Sequence, residues 1–208
     1  YQIRESILYH TKMTKAEAKK EAIKLMEQVG IPDASTRYNS YPQQFSGGMR
    51  QRIMIAIALA AKPQILIADE ATTALDVTTQ AQLLDLMQSL AEQTGISVII
   101  VTHNLGIVAR YAKRIYVMYG GRIMETANTE RIFSNPTHPY TRKLLKVVPR
   151  LSDRRDRKLI PIEGTPPSIE NKPAYCAFYG RCPYRVDACM AGKPDLKEVE
   201  PGHEYACY

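Results

Sequence analysis

YPQQFSGGMRQRIMIAIALAAKPQILIADEATTALD, Tyr41 to Asp76, decides how the chain is read. Ser46, Gly47 and Gly48 stand ahead of Arg50 to Ala61, a run with the composition of a helix. The free N–H groups and positive dipole end of such a helix make a site for an anion. Glycine lets backbone approach a phosphate, and Ser46 can both cap the helix and donate to a phosphate oxygen. Taken alone, Ser-Gly-Gly before a helix is more often a capped turn. Ile53 to Ala61 is apolar throughout, which predicts a helix buried on all faces, ended by Lys62-Pro63. Ile65 to Ala68 then suits a strand covered on both faces, as in a parallel sheet.

Asp69 and Glu70 follow at the carboxyl end of that strand. Open α/β sheets bind ligands at this edge, and adjacent carboxylates leaving a buried strand are costly unless a cation or a water uses them. The natural division has Asp69 orient Mg²⁺ through water while Glu70 polarises an attacking water. The alternative, one acid capping the next helix and the other solvated, stays open on this fragment. Thr78 to Thr94 then has helical spacing, with Leu83, Leu84, Leu86, Met87 and Leu90 inward and Gly95 ending it. Ile96 to Val101 predicts a second buried strand, with Thr102-His103 at its end.

The ordered set of Ser46 to Gln51, Ile65 to Glu70, Ala74-Leu75-Asp76 and His103 resembles the signature, Walker B, D-loop and switch histidine of the nucleotide-binding subunit of ABC transporters. The resemblance covers almost the whole chain and implies an α/β parallel-sheet ATPase core. It also implies ATP and Mg²⁺ as cofactors. Nucleotide contacts would come from Ser46, Gly47, Gly48, Met49, Asp69 and Asp76. Catalysis would fall to Glu70, with His103 sensing the γ-phosphate. Met49 stands where many members have Gln, Ala71 replaces the usual Pro and Asn104 the usual Asp; none of these removes a catalytic group. No G-x-x-x-x-G-K-[ST] occurs. Position 1 is therefore expected to lie inside a longer chain, and the chain alone is expected not to hydrolyse ATP.

Upstream, Thr14-Lys15-Ala16-Glu17 is a capping box, with Ala18, Ala22, Leu25, Met26 and Val29 on one helix face until Gly30 and Pro32. In the family, residues 1–45 correspond to part of the helical subdomain that leans on a membrane-spanning partner. Packing within its own domain explains the periodicity equally well. Downstream, two short β runs flank Gly120-Gly121, a hairpin signal, within a core spanning residues 46–135. Thr129 to Phe133 suggests a short helix. His138-Pro139-Tyr140 begins another, Thr141 to Val148, with Pro at its first position. This HPY box, with a linker to residue 172, resembles the C-terminal extension of oligopeptide and dipeptide importers.

All four cysteines, Cys176, Cys182, Cys189 and Cys207, lie in residues 173–208. In a reducing compartment such clustering points to a metal more often than to a bridge, and the wide intervals suit zinc less well than an iron–sulfur cluster. The resemblance implies a 4Fe–4S cluster on these four; free structural thiols are the alternative. The linker and tail hold few large apolar residues for a core of their own.

With 208 residues, 45% hydrophobic and 24% charged, the composition is that of an ordinary globular protein. Its start is no signal peptide and no apolar run spans a bilayer. The net charge of +7 concentrates in Lys12 to Lys24 and Arg150 to Lys158, the latter without aromatic residues for base stacking. A solvated linker near lipid headgroups fits better than a nucleic-acid surface. The expected function is the ATP-hydrolysing subunit of a peptide importer at the cytoplasmic membrane face. Its partners would be a second ATPase subunit, membrane-spanning permeases and, indirectly, a solute-binding protein. The competing classes are a non-transport ATPase acting on nucleic acid or ribosomes, and a non-hydrolytic fragment keeping only the iron–sulfur module.

Overall fold

Thr14 and Glu17 cap one another: the Glu17 carboxylate accepts from the Thr14 amide at 2.7 Å, and the Thr14 hydroxyl accepts from the Glu17 amide at 3.3 Å. They open α2 (Lys15–Gln28), which buries Ala18, Ala22, Leu25 and Met26, as the sequence predicts. The computed structural model describes residues 1–73, 75–147, 161–168, 170 and 172–208. It divides into two units, Tyr1–His103 and Asn104–Tyr208.

In the first unit α2 is preceded by α1 (Gln2–His10), whose Ile3 and Ile7 at i, i+4 join the same core. After α2, Gly30 sits at φ +73°, where an added Cβ would stand 2.8 Å from Arg52 Nη1. That nitrogen donates to the Val29 carbonyl at 2.7 Å and so closes the end of α2. Next come α3 (Ala34–Arg37), α4 (Gly47–Leu59), β1 (Ile65–Asp69), α5 (Val77–Thr94) and β2 (Ser97–Val101). Gly95 ends α5 at φ +72°.

Two expectations need correction. Helix α4 begins at Gly47 rather than Arg50, taking both glycines into its first turn, and it is not buried all round, since Met54 is 63% exposed. The strands are not covered on both faces either. They pair in parallel from Ile65↔Ser97 to Asp69↔Val101, and alternate residues such as Ile67 (64%) and Ile99 (48%) stay exposed while Leu66 and Ala68 are buried. With core packed against one face only, the period-two pleat leaves every second apolar side chain open.

In the second unit, α6 (Leu105–Tyr111) leads to β3 (Arg114–Tyr119) and β4 (Arg122–Asn128), then α7 (Thr129–Ser134) and α8 (Pro139–Val147). Gly120 and Gly121, at φ +57° and +77°, make the expected hairpin turn, where both central residues must be left-handed. Val148 and the Arg150 to Lys158 run lie outside the described residues, as does most of the expected linker. The tail adds β5 (Lys197–Glu200) and β6 (His203–Tyr205), giving an antiparallel sheet in the order β3-β4-β6-β5 that the sequence reading did not foresee. The tail also has a core: Phe178 is fully buried against Tyr119 and Tyr140, each 5.3 Å away between ring centres.

Candidate functional site

Parallel pairing of β1 with β2 brings their carboxyl ends together, and the Glu70 amide extends the ladder by donating to Val101 O at 2.9 Å. Beyond that bond lie the two candidate catalytic side chains. His103 Nδ1 meets Glu70 Oε1 at 3.0 Å, with the side chains 74% and 52% exposed. Glu70 sits in the left-handed region at φ +46°. The turn after it holds that geometry: the Thr73 amide and hydroxyl both donate to Glu70 O, at 3.1 and 3.0 Å. Asp69 closes β1 one residue earlier. An accessible carboxylate braced by an imidazole, with a second carboxylate adjacent, can polarise a water and accept its proton.

The turn continues into α5, whose N-cap is Asp76. Both Asp76 oxygens are used: one accepts from the Thr79 amide at 2.9 Å and the other from its hydroxyl at 2.6 Å. These two bonds, the hydroxyl's first, hold the Asp76 carboxyl below its ordinary pKa. Ala74 of the expected D-loop lies outside the described residues.

Ser46 caps α4 by accepting from the Met49 amide at 3.3 Å. Gly47 and Gly48 face the start of α5: a Cβ on Gly47 would stand 3.9 Å from Leu75 Cδ2, and one on Gly48 only 2.7 Å from Thr79 Cγ2. Two helix N-termini therefore stand side by side, with Leu75 and Thr79 flanking Asp76. The reading of glycine as room for a phosphate missed this second reason for Gly48. The signal was present in Asp76-x-x-Thr79, a cap whose threonine methyl must go somewhere.

In the second unit the HPY box is a cap. His138 Nδ1 accepts from the Tyr140 amide at 3.0 Å, and the His138 carbonyl accepts from the Arg142 amide at 3.1 Å, which starts α8 with Pro139 at its first position. Glu125, fully buried in β4, accepts from the Thr137 and His138 amides at 2.6 and 3.0 Å and from His203 Nε2 at 2.8 Å. Arg131 Nε donates to His203 Nδ1 at 3.3 Å, which places the neutral ring's proton on Nε2, facing Glu125. Arg131 also pairs with Glu200. Sequence reading missed Glu125, because its partners come from positions 137, 138 and 203. Burial lowers His138 to about 4, against the opposing attraction of Glu125 and a hydrogen bond to Ala206.

Cys176, Cys182, Cys189 and Cys207 are free thiols gathered in one neighbourhood, and the Cys176 amide donates to Cys189 O at 3.2 Å. Burial raises Cys176, Cys182 and Cys207, and the charge that neighbouring thiolates would carry acts in the same direction. The donor chemistry suits a cationic group. The geometry does not, because among the described residues no three His, Cys, Asp or Glu side chains stand close enough to hold a metal. The expected metal site is thus not borne out in this arrangement.

Residues 1–73 match the family model for the ABC transporter, and residues 124–189 the model for the oligopeptide/dipeptide transporter C-terminal region. The dipeptide transport ATP-binding protein DppD of Bacillus subtilis is 48% identical over 207 residues, 100% of this chain and 62% of its own length. The oligopeptide transport ATP-binding protein OppD of the same organism is 48% identical over 202 residues, 97% of this chain and 56% of its own. The chain thus spans about three-fifths of the length of the curated relatives it matches. Among solved structures, the dimeric bacterial ABC transporter cassette MJ0796 aligns with TM-score 0.52 and 30% identity over 61% of this chain and 54% of that one. The chain belongs to the ATP-binding subunits of ABC transporters, in their oligopeptide/dipeptide group.

Proposed function

We propose that this chain carries the water-activating and signature parts of an ATPase that drives peptide import through membrane-spanning permeases at the cytoplasmic face of the membrane. A second ATPase subunit shares its ATP sites, and an extracytoplasmic solute-binding protein acts upstream. The observation that carries the reading is the Glu70–His103 contact beyond the carboxyl ends of two parallel strands. Identity to peptide-transport ATP-binding proteins supports the substrate class. No described helix is long and apolar enough to cross a membrane, which agrees with a peripheral subunit.

Glu70 polarises the attacking water and takes its proton, while His103 holds the carboxylate in place and faces the γ-phosphate. Asp69 would hold Mg²⁺, which when bound would supply charge neutralisation at the phosphates. Ser46, Gly47, Gly48 and Met49 present the α4 N-terminus to the ATP of the neighbouring subunit. Asp76 fixes the adjoining turn by capping α5. The sequence holds no phosphate loop of the G-x-x-x-x-G-K-[ST] type, so the 208-residue chain by itself does not turn over ATP. In the assembled transporter, peptide should stimulate hydrolysis, and Ser46→Arg should abolish both that stimulation and ATP-dependent subunit closure. Normal closure in this variant would refute the signature assignment.

For the tail, the reading is a 4Fe–4S cluster on Cys176, Cys182, Cys189 and Cys207. Its support is the gathering of four free cysteines in the tail, which must draw closer to hold it. Anaerobically purified protein should contain iron and sulfide in equal amounts, and Cys182→Ser should lose both. Zinc without sulfide, or four thiols that alkylate freely in the native protein, would contradict it.

A further inference from the structure

A cavity of about 190 Å³ lies wholly within the second unit, between the β3–β4 turn and the tail. Three cations line it, Arg122, Lys172 and Lys193, and no carboxylate does. Arg122 Nη2 is 3.6 Å from Asp195, a carboxylate that is 91% exposed. The two ammonium groups have no acidic partner among the described residues.

The turn fixes the place of one of them. Gly121 is left-handed, and a Cβ there would stand 2.9 Å from Lys172 Nζ, so the bare backbone is what lets this ammonium rest on the turn. On the other glycine a Cβ would meet Ala177 Cβ at 3.1 Å and Pro167 Cγ at 3.6 Å, so the wall is close-packed. Pro173 and Pro194 stiffen the remaining sides.

Like charges drawn into one recess repel, and an anion among them removes the repulsion. Two uncompensated cations and a third partly compensated match a dianion. The volume admits a tetrahedral oxyanion with a short stub and is below the usual range for larger organic ligands.

We propose that this cavity binds a doubly charged oxyanion of phosphate size, supplied either as free phosphate or as the phosphate of a lipid headgroup. The site does not depend on the transport reading.

The test titrates the 208-residue protein with inorganic phosphate at constant ionic strength, against chloride, by calorimetry. Vesicles of phosphatidic acid, whose phosphomonoester headgroup can carry two charges, against phosphatidylcholine, form a second arm. One saturable phosphate per chain is expected. Lys172→Gln and Lys193→Gln should each weaken it about threefold to tenfold. Gly121→Ala should weaken it while keeping every charge, and Lys19→Gln, a cation of the first unit, should leave it unchanged. Both lysine substitutions lie at exposed positions, so the fold survives them. Vesicle binding lost in Lys172→Gln, without free-phosphate binding, would identify a headgroup as the source. Binding in neither arm, or equal loss in Lys19→Gln, overturns the proposal.

Discussion

Glu70 carries its carboxylate on left-handed backbone at φ +46°, where a side chain costs about 1–2 kcal/mol relative to glycine. The Thr73 bonds to its carbonyl hold that conformation, and it turns the side chain toward His103. Glu70→Gly should therefore leave the urea midpoint unchanged or higher, because relief of strain offsets the added chain entropy. Glu70→Val, β-branched at the same φ, should lose about 1–2 kcal/mol. Equal midpoints for the two variants would show that the backbone here is unstrained. At Gly48 the constraint is steric. Thr79 cannot rotate its methyl away without giving up the 2.6 Å bond to Asp76, so Gly48→Ala should destabilise the first unit by about 1–3 kcal/mol. Thr79→Ser, which keeps the hydroxyl and removes the methyl, should restore most of the loss. Failure to rescue would place the role of Gly48 elsewhere.

At the scale of elements, the second unit is held by α8, the hairpin and the tail meeting at Phe178 and Glu125. Phe178→Ala should cost about 3–5 kcal/mol, and protease should then cut the tail first; uniform cleavage along the chain would show that the tail has no separate anchorage. His138 adds a pH dependence. Its folded pKa of about 4 lies below the ordinary 6.5, so the unfolded chain binds more protons between these values. Stability therefore falls as pH drops from about 6.5 to 4, by up to about 3 kcal/mol. His138→Gln should flatten that part of the urea-midpoint profile, and an unchanged slope would assign it to other groups. What the sequence made legible was chemistry within one or two turns: the Thr14–Glu17 cap, the buried face of α2, the Gly120-Gly121 turn and Pro139. What it hid was reach across the chain. Arg52 caps a helix 23 residues away. The exposed, charged β5 carries no alternating pattern, and Glu125 in a strand gives no local sign that residues 137, 138 and 203 will bond to it.

Over the whole molecule, the candidate site was legible because its parts come in a fixed order, whereas the contact between Glu70 and His103, 33 positions apart, required the parallel pairing of β1 and β2 on either side of α5. The cysteine tail was legible as a cluster of thiols but not as a sheet strand, since β6 pairs through backbone to β4. The positive charge is spread over both units and decides no function alone. The proposed role of Glu70, activating water for the ATP that powers import, draws on all of these elements. Its most direct test is single-turnover hydrolysis by the assembled transporter, including a phosphate-loop segment and its permeases, with Glu70→Gln in place. Hydrolysis should fall at least about a hundredfold, with ATP still bound and the subunits closed. Hydrolysis at the parental rate would contradict that role for Glu70.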